Sequence, residues 1–148
     1  MTLTVHTARI GPRLYDDELN VSRATGAGDG LAFAPSWDLL RPVLEHRSLL
    51  RTHLAASQPL LVSLEHAAWR LYERAFHAEM RESYRRQRIA WDRLLARTSV
   101  TLLCFCTDPA HCHRTLLARD ILPKLGAVFA GERAPAKEPA PTLPGVGG

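Results

Sequence analysis

All three cysteines of the chain lie between residues 104 and 112, in a stretch that also carries histidines and an arginine. Thiolates and imidazoles are the ligand types of tetrahedral zinc sites. Cys104 and Cys106 leave the same side of an extended strand, which helps them to chelate one ion. With Cys112 and His113 they form a candidate zinc site, although the C-x-C-x5-C-H spacing lacks the paired C-x2-C loops of common zinc knuckles.

The same stretch also fits a nucleophilic site. Asp108-Pro109 predicts the start of a helix, because Asp caps free backbone donors and Pro is pre-set for the first helical position. The positive end of that helix and Arg114 would favour a thiolate or a bound anion. Cys112 is then the natural nucleophile. Its catalytic partners would be Cys104, His113 and Arg114.

A third interpretation is purely structural. Cys104 would be a small buried apolar residue, His113 a hydrogen-bonded histidine and Arg114 a salt-bridging residue. For any single residue this interpretation is the strongest, but a functional site is favoured for the set. The C-x5-R signature of phosphatases is absent, because Cys106 precedes Arg114 by eight positions. We expect Cys112 and Arg114 to border a solvent-reachable pocket, with Arg114 exposed at the start of the helix.

The elements that must position these residues follow a strand-helix-strand pattern. Val100–Phe105 is a continuous apolar run typical of a buried strand, and an apolar-periodic helix follows Cys112. Gly126 closes that helix before a second apolar run, Ala127–Ala130. Leu3–Ile10 alternates as a further strand. The sequence therefore predicts an α/β fold: a single compact Rossmann-like domain with a small, mainly parallel sheet, a C-terminal βαβ unit and flanking helices.

Two arginines near the N-terminus are candidate anion ligands. In parallel sheets, ligands bind outside the carboxyl ends of the strands. Arg9 and Arg13 lie at or just beyond the end of the first strand, so both approach the cysteines if that strand runs parallel to Val100–Phe105. We take Arg9, Arg13 and Asp108 as candidate substrate-binding residues. Solvated loop arginines are an equally good explanation of Arg9 and Arg13.

The last third of the chain resembles an uncharacterised family, domain-of-unknown-function family 488. The resemblance rests on the pattern TLLC…DP…CHR…LA…L and is supported by Gly126 and Gly131-Glu132. The N-terminal strand with Arg9 near its end is also similar to the family. Where the family often has an acidic residue, this chain has Cys106. The resemblance implies a compact α/β fold of Rossmann-like character and no established reaction.

Helices fill the region between the two predicted strands. Ser36 can cap a helix running to about His46, and a second piece follows at Ser48–Ala56. Ser63 begins the longest helical pattern, whose apolar face is the pattern of a core stripe. That stripe comprises Trp69, Tyr72, Phe76 and Met80.

Two further stretches carry weaker functional signals. Residues 24–30 contain three glycines but no GxxxxGK[ST], so a surface loop is favoured over phosphate binding. Arg81, Arg85 and Arg88 share one helical face within an arginine-rich region. A solvated basic face is the ordinary explanation, and contact with a nucleic-acid backbone is the second.

Composition is that of a globular protein, with 46% hydrophobic and 23% charged residues. We expect one domain at residues 1–133 and a disordered, Pro/Ala/Gly-rich tail at 134–148. The net charge of +4 suits anionic ligands but is too small to indicate nucleic-acid binding. No apolar run approaches a membrane span, and three clustered cysteines do not make a secreted disulfide framework. A cytoplasmic location without membrane contact is therefore expected.

The function favoured by the sequence is an enzyme or binding site for a phosphorylated or nucleotide-like anion. It would act through a thiolate or a thiol-bound metal at residues 104–114. One alternative is a nucleic-acid-binding accessory protein that uses the arginine-rich helix. The other is a structural zinc or thiol cluster.

Overall fold

The computed structural model describes residues 2–11, 15–53 and 58–134, with side chains outside 46–65. The chain divides into two compact units. One contains the N-terminal segment up to Asn20 and the chain from Leu95 onward, and the other contains Val21–Leu94. Arg13 and residues 135–148 of the expected disordered tail lie outside the described residues.

The first unit contains a four-stranded parallel sheet. Its strands are β1 (Thr4–Arg9), β2 (Glu18–Asn20), β3 (Ser99–Cys104) and β4 (Val128–Glu132), in the spatial order β2-β3-β1-β4. All three pairings are parallel. The prediction of an α/β fold with a small parallel sheet is confirmed.

The central pair of strands brings the first cysteine next to the N-terminal strand. In the parallel pairing of β1 with β3, Thr4 lies opposite Ser99 and Arg9 opposite Cys104. Val100 and Leu102 of β3 are fully buried, as expected for a strand covered on both faces. The carboxyl ends of β1 and β3 therefore lie side by side.

The connection from β3 to β4 is helical, as predicted, but it is not a regular α-helix. One α-helical turn, α4 (His113–Thr115), passes into a π-helical segment at Leu116–Ile121 and a 3₁₀ turn at Leu122–Leu125. Pro123 explains the change, because its ring has no N–H and crowds the preceding turn. Gly126 ends the connection with φ of 99°, a left-handed conformation that glycine adopts without strain.

The predicted helix start at Asp108-Pro109 is only a short separate turn. The carboxylate of Asp108 accepts a hydrogen bond from the Ala110 N–H, but the 3₁₀ turn ends at His111. The backbone is extended at Cys112, which precedes α4. Asp108 therefore caps only this short turn, and Cys112 rather than Asp108 immediately precedes the helical connection.

The pairing of β1 with β4 contains a bulge. Val5 lies opposite Phe129, but the next residue of β1, His6, lies opposite Gly131, so β4 has one extra residue at this point. Gly131 has φ of 114°, which a side chain would strain. After the bulge, Thr7 lies opposite Glu132.

The second unit is helical. Its helices are α1 (Trp37–His53), α2 (Gln58–Arg86) and α3 (Arg88–Leu95), preceded by a 3₁₀ turn at Gly28–Phe33. The Ser36 hydroxyl accepts from the Leu39 N–H, which confirms the predicted cap. Tyr72, Phe76 and Met80 are buried, as expected of a core stripe.

Three boundaries differ from the sequence prediction. The two pieces expected at Trp37 to about His46 and at Ser48–Ala56 form the single helix α1, which the structure describes as far as His53, and α2 begins at Gln58 rather than Ser63. Strand β2 was not predicted, because its three residues are too few to show a period-2 pattern. Within the described part of the chain, no helix combines the length and the apolar character needed to span a membrane.

Candidate metal–thiol site

The three cysteine sulfurs converge at the carboxyl end of β3. Cys104 is the last residue of β3, Cys106 follows it in the loop, and Cys112 immediately precedes α4. The Sγ atoms of Cys104 and Cys106 are 3.9 Å apart, and all three sulfurs lie within 4.8 Å of one another. The prediction that Cys104 and Cys106 turn to the same side is confirmed. No disulfide joins the three cysteines, all of which lie within the described part of the chain.

His113 lies beside two of these sulfurs. Its Nδ1 atom is 3.8 Å from the Sγ of Cys104 and 3.9 Å from the Sγ of Cys112. The side chain is buried, with 3% of its surface exposed. The tautomer of this imidazole decides whether Nδ1 donates to a thiol or offers a lone pair to an ion.

The spacing of the sulfurs fits a tetrahedral metal site. With Zn–S bonds of about 2.3 Å, two thiolates on one zinc ion are about 3.8 Å apart. The Cys104–Cys106 separation matches this value, and the widest sulfur pair exceeds it by no more than about 1 Å. Cys104, Cys106 and Cys112 can hold one ion after small side-chain shifts. His113 Nδ1 adjoins the same volume.

Burial opposes ionisation of the inner thiols. A hydrogen bond with Cys106 and burial raise the pKa of Cys104 to about 11, although a hydrogen bond with Cys112 partly offsets them. Burial, followed by the neighbouring thiols, raises the pKa of Cys112 well above its ordinary value. Burial therefore opposes the Cys112 thiolate, which the position of Cys112 before the helical connection was expected to favour.

Arg114 is fully buried rather than exposed. Its Nε and Nη2 atoms donate to the two carboxylate oxygens of Glu132 at 3.2 and 2.8 Å, and its Nη1 donates to the carbonyl of Cys106 at 3.0 Å. Burial alone would lower the pKa of Arg114, but hydrogen bonds with Glu132 and Cys112 and the charges of these two residues together outweigh it and raise the pKa. The expectation of an exposed helix-start arginine with little packing is wrong, because Glu132 of β4 draws the guanidinium inward.

Solvent reaches the cluster on the side of Cys106. We expected Cys112 and Arg114 to border a solvent-reachable pocket, but only 2% and 0% of their surfaces are exposed. Cys106 is half-buried, and the neighbouring Phe105 is 47% exposed. Cys106 is therefore the outermost of the three thiols.

The remaining predicted site residues lie at the rim. Arg9 is exposed and is the register partner of Cys104, so both side chains leave the same face of the sheet. Asp108 is exposed, and its carboxylate lies 2.7 Å from the Nδ1 of His111 in the same turn. The structure brings Arg9 to the correct edge, whereas Arg13 falls outside the described residues.

Glu132 and Thr7 are site residues that the sequence did not identify as such. The Thr7 hydroxyl donates to Glu132, which in turn holds Arg114. A carboxylate at the end of an otherwise apolar strand is a signal that points to Glu132. Thr7 gives no such signal, because threonine is common in strands.

The arginine-rich region of the second unit is occupied by local ion pairs. Arg85 and Arg86 both pair with Glu82, and Arg88 pairs with Asp92. The Arg88 guanidinium also lies 4.1 Å from the centre of the Tyr84 ring. These contacts agree with the solvated basic face, which was the ordinary explanation.

Comparison with known families identifies the chain at the family level. The family DUF488-N3a, described as the active DUF488-N3 subclade, matches residues 31–125, well over half of the chain. The match includes β3 and all three cysteines but neither β1 nor β4. No curated protein and no solved structure matches the chain. The chain therefore belongs to the active DUF488-N3 subclade, a group of domains of unknown function, as the resemblance implied.

Proposed function

We propose that the protein is an enzyme that binds a small phosphorylated or nucleotide-like anion at a metal held by Cys104, Cys106 and Cys112. The observation that supports this proposal is the convergence of three sulfurs within 4.8 Å at the carboxyl end of β3. Ligands of parallel sheets bind at this end of the strands.

Three protein ligands suit a catalytic metal better than a structural one. Catalytic zinc sites have three protein ligands and an open fourth position, whereas structural sites are closed by four. The Nδ1 atom of His113 lies 3.8 and 3.9 Å from the Sγ atoms of Cys104 and Cys112, and we infer that it orients these sulfurs and leaves the fourth position open. A bound zinc ion would supply Lewis-acid polarisation of an anionic oxygen in the fourth position.

Anion binding depends on the positive charge at the rim. Arg114 is not available for this purpose, because Glu132 neutralises it in the interior. Arg9, one of the predicted anion ligands, is exposed on the same face of the sheet as Cys104. Arg13 remains a predicted second ligand. The proposal includes a Rossmann-like relationship of the fold and a reducing, cytoplasmic location, where free thiols persist.

Nucleic-acid binding is not favoured by the contacts of the arginine-rich helix. The stretch expected to form one helix is divided between α2 and α3, and Arg85 and Arg86 of α2 already pair with Glu82, as Arg88 of α3 does with Asp92. Such pairs reduce the positive potential that a phosphate backbone requires.

Metal analysis of protein purified without chelator tests the metal part of the proposal. We expect about one equivalent of zinc per chain, lost in Cys104→Ser and Cys112→Ser. His111→Asn is the matched control, because His111 lies in the same loop but pairs with Asp108, and it should retain the metal. If the wild-type protein retains no zinc after zinc addition and desalting, the proposed metal centre is refuted.

Phosphate binding tests the anion part. Inorganic phosphate titrated into the zinc-loaded protein should bind, and Arg9→Ala should weaken binding without changing the metal content. Arg119→Ala is the control, since this exposed arginine pairs with Asp120 on the crossover. Equal phosphate affinity of Arg9→Ala and Arg119→Ala would remove Arg9 from the site.

A further inference from the structure

We propose that Glu132 and Arg114 are positioning residues that hold Cys106, the outermost thiol, in place for metal binding. This inference rests on the proposed metal centre. It concerns residues outside the cysteine cluster, one of which lies on a different strand.

A continuous chain of hydrogen bonds connects the sheet with the cysteine loop. The Thr7 hydroxyl of β1 donates to Glu132 of β4, and Glu132 accepts two hydrogen bonds from Arg114. The third guanidinium nitrogen of Arg114 donates to the Cys106 carbonyl at 3.0 Å. Two neighbouring strands are thereby joined through one side chain to the backbone of the outer thiol.

Cys106 is the thiol that most needs such support. Cys104 is fixed as the last residue of β3, and Cys112 is fixed by burial next to α4. Cys106 lies beyond the end of β3, in the loop before the 3₁₀ turn, and is half-buried. A ligand in a loop loses conformational entropy when it binds an ion, and a prior backbone hydrogen bond reduces that loss.

Arg114 is suited to this role by its chemistry and its environment. The planar guanidinium binds a carboxylate with two parallel hydrogen bonds, which fixes its orientation as well as its position. Its side chain is fully buried, so solvent does not reach the guanidinium nitrogens, although Glu132 keeps 30% of its side-chain surface exposed. The remaining Nη1 donor therefore points at the Cys106 carbonyl with little freedom to move.

The test compares Glu132→Gln with a matched control in the same sheet. Residues that orient metal ligands typically contribute about 10- to 100-fold to metal affinity, and we expect a loss of this size in Glu132→Gln. Asp17→Asn is the control. Asp17 accepts from the Thr101 hydroxyl and pairs with Arg133, an analogous threonine–carboxylate–arginine group without a contact to Cys106 among the described residues. We expect its zinc affinity to stay close to that of the wild type.

A double-mutant cycle separates positioning of Cys106 from a general loss of structure. In a Cys106→Ser background, the effect of Glu132→Gln on zinc affinity should largely disappear, because the positioned sulfur is already absent. An equal effect in both backgrounds would overturn the proposal. Tighter zinc binding in Glu132→Gln would also overturn it, since this result would mean that the freed Arg114 charge acts by attracting thiolates.

Alkylation of the metal-free protein gives a readout that does not depend on the metal centre. Peptide mapping after iodoacetamide treatment should show severalfold faster modification of Cys106 in Glu132→Gln than in the wild type, because the loop is released. Arg114→Lys, which retains the charge but loses the fork, should behave in the same way. Unchanged Cys106 reactivity in both variants would refute positioning, whereas absence of zinc from the wild type would refute only the metal centre.

Discussion

Replacement of Arg114 by alanine should destabilise the protein far more than its position near a helix start suggests. Removal of one partner from a buried ion pair costs about 3–5 kcal/mol. Glu132 keeps 30% of its side-chain surface exposed, so its freed carboxylate is partly hydrated and the lower end of that range applies. The Cys106 carbonyl loses its donor at a further cost of about 1 kcal/mol. We therefore expect a loss of about 4 kcal/mol in the free energy of unfolding.

Thermal and urea unfolding followed by circular dichroism measure this loss. For a chain of this length, about 4 kcal/mol corresponds to a fall in Tm of roughly 10 °C. Arg119→Ala is the matched control on the same crossover, because the Arg119 side chain is 51% exposed and pairs with Asp120. Such exposed pairs contribute at most about 1 kcal/mol. If Arg114→Ala loses no more stability than Arg119→Ala, the buried ion pair does not stabilise the fold.

Two further predictions concern the acid stability of the sheet and the basic helix. Burial alone would raise the pKa of Asp17. Hydrogen bonds with Thr101 and Ser99, together with the charge of Arg133, outweigh burial and lower this pKa below 3.8. The stabilising contribution of the Asp17 carboxylate is complete above pH 3.8 and is lost as the pH falls through its lower pKa in the folded state. Asp17→Asn should therefore flatten the acid limb of a Tm–pH profile. An unchanged acid limb would contradict this. We expect only weak binding of duplex nucleic acid by the wild-type protein and by a variant with charge reversal at Arg81, Arg85 and Arg88. Tight wild-type binding with a steep salt dependence would instead favour the nucleic-acid-binding alternative.

The parallel pairing of β1 with β3 could be predicted because both strands carry their own signal. Each is an apolar run bounded by polar residues, and the chain between them is long enough for a parallel crossover. The meeting of Cys104 and Cys106 follows from the period of a strand, which needs no tertiary information. β2 was missed because its pairing with β3 comes from the sheet rather than from its three residues.

The burial of Arg114 could not be predicted from its neighbours. An arginine that follows Cys-His is expected at the surface unless its ion-pair partner is known. The partner of Arg114 is Glu132, which is 18 residues away along the chain. The pKa of Cys112 depends on the same unknown, since burial rather than the local helix determines its direction. Site residues that are fixed by local geometry were predicted, and those that are fixed by a distant partner were not.

The bulge in β4 has a consequence for how this chain tolerates changes in length. If Ala130 were paired in step instead of forming the bulge, Glu132 would lie opposite Ala8 instead of Thr7. Successive residues of a strand face opposite sides of the sheet, so the carboxylate would then lie on the face away from Arg114. A deletion of Ala130 would thus remove the bulge and leave Glu132 opposite Thr7, whereas in-step pairing of the unchanged strand would separate the ion pair without altering either member. In this strand, the bulge rather than the regular alternation of side chains determines which face of the sheet Glu132 occupies.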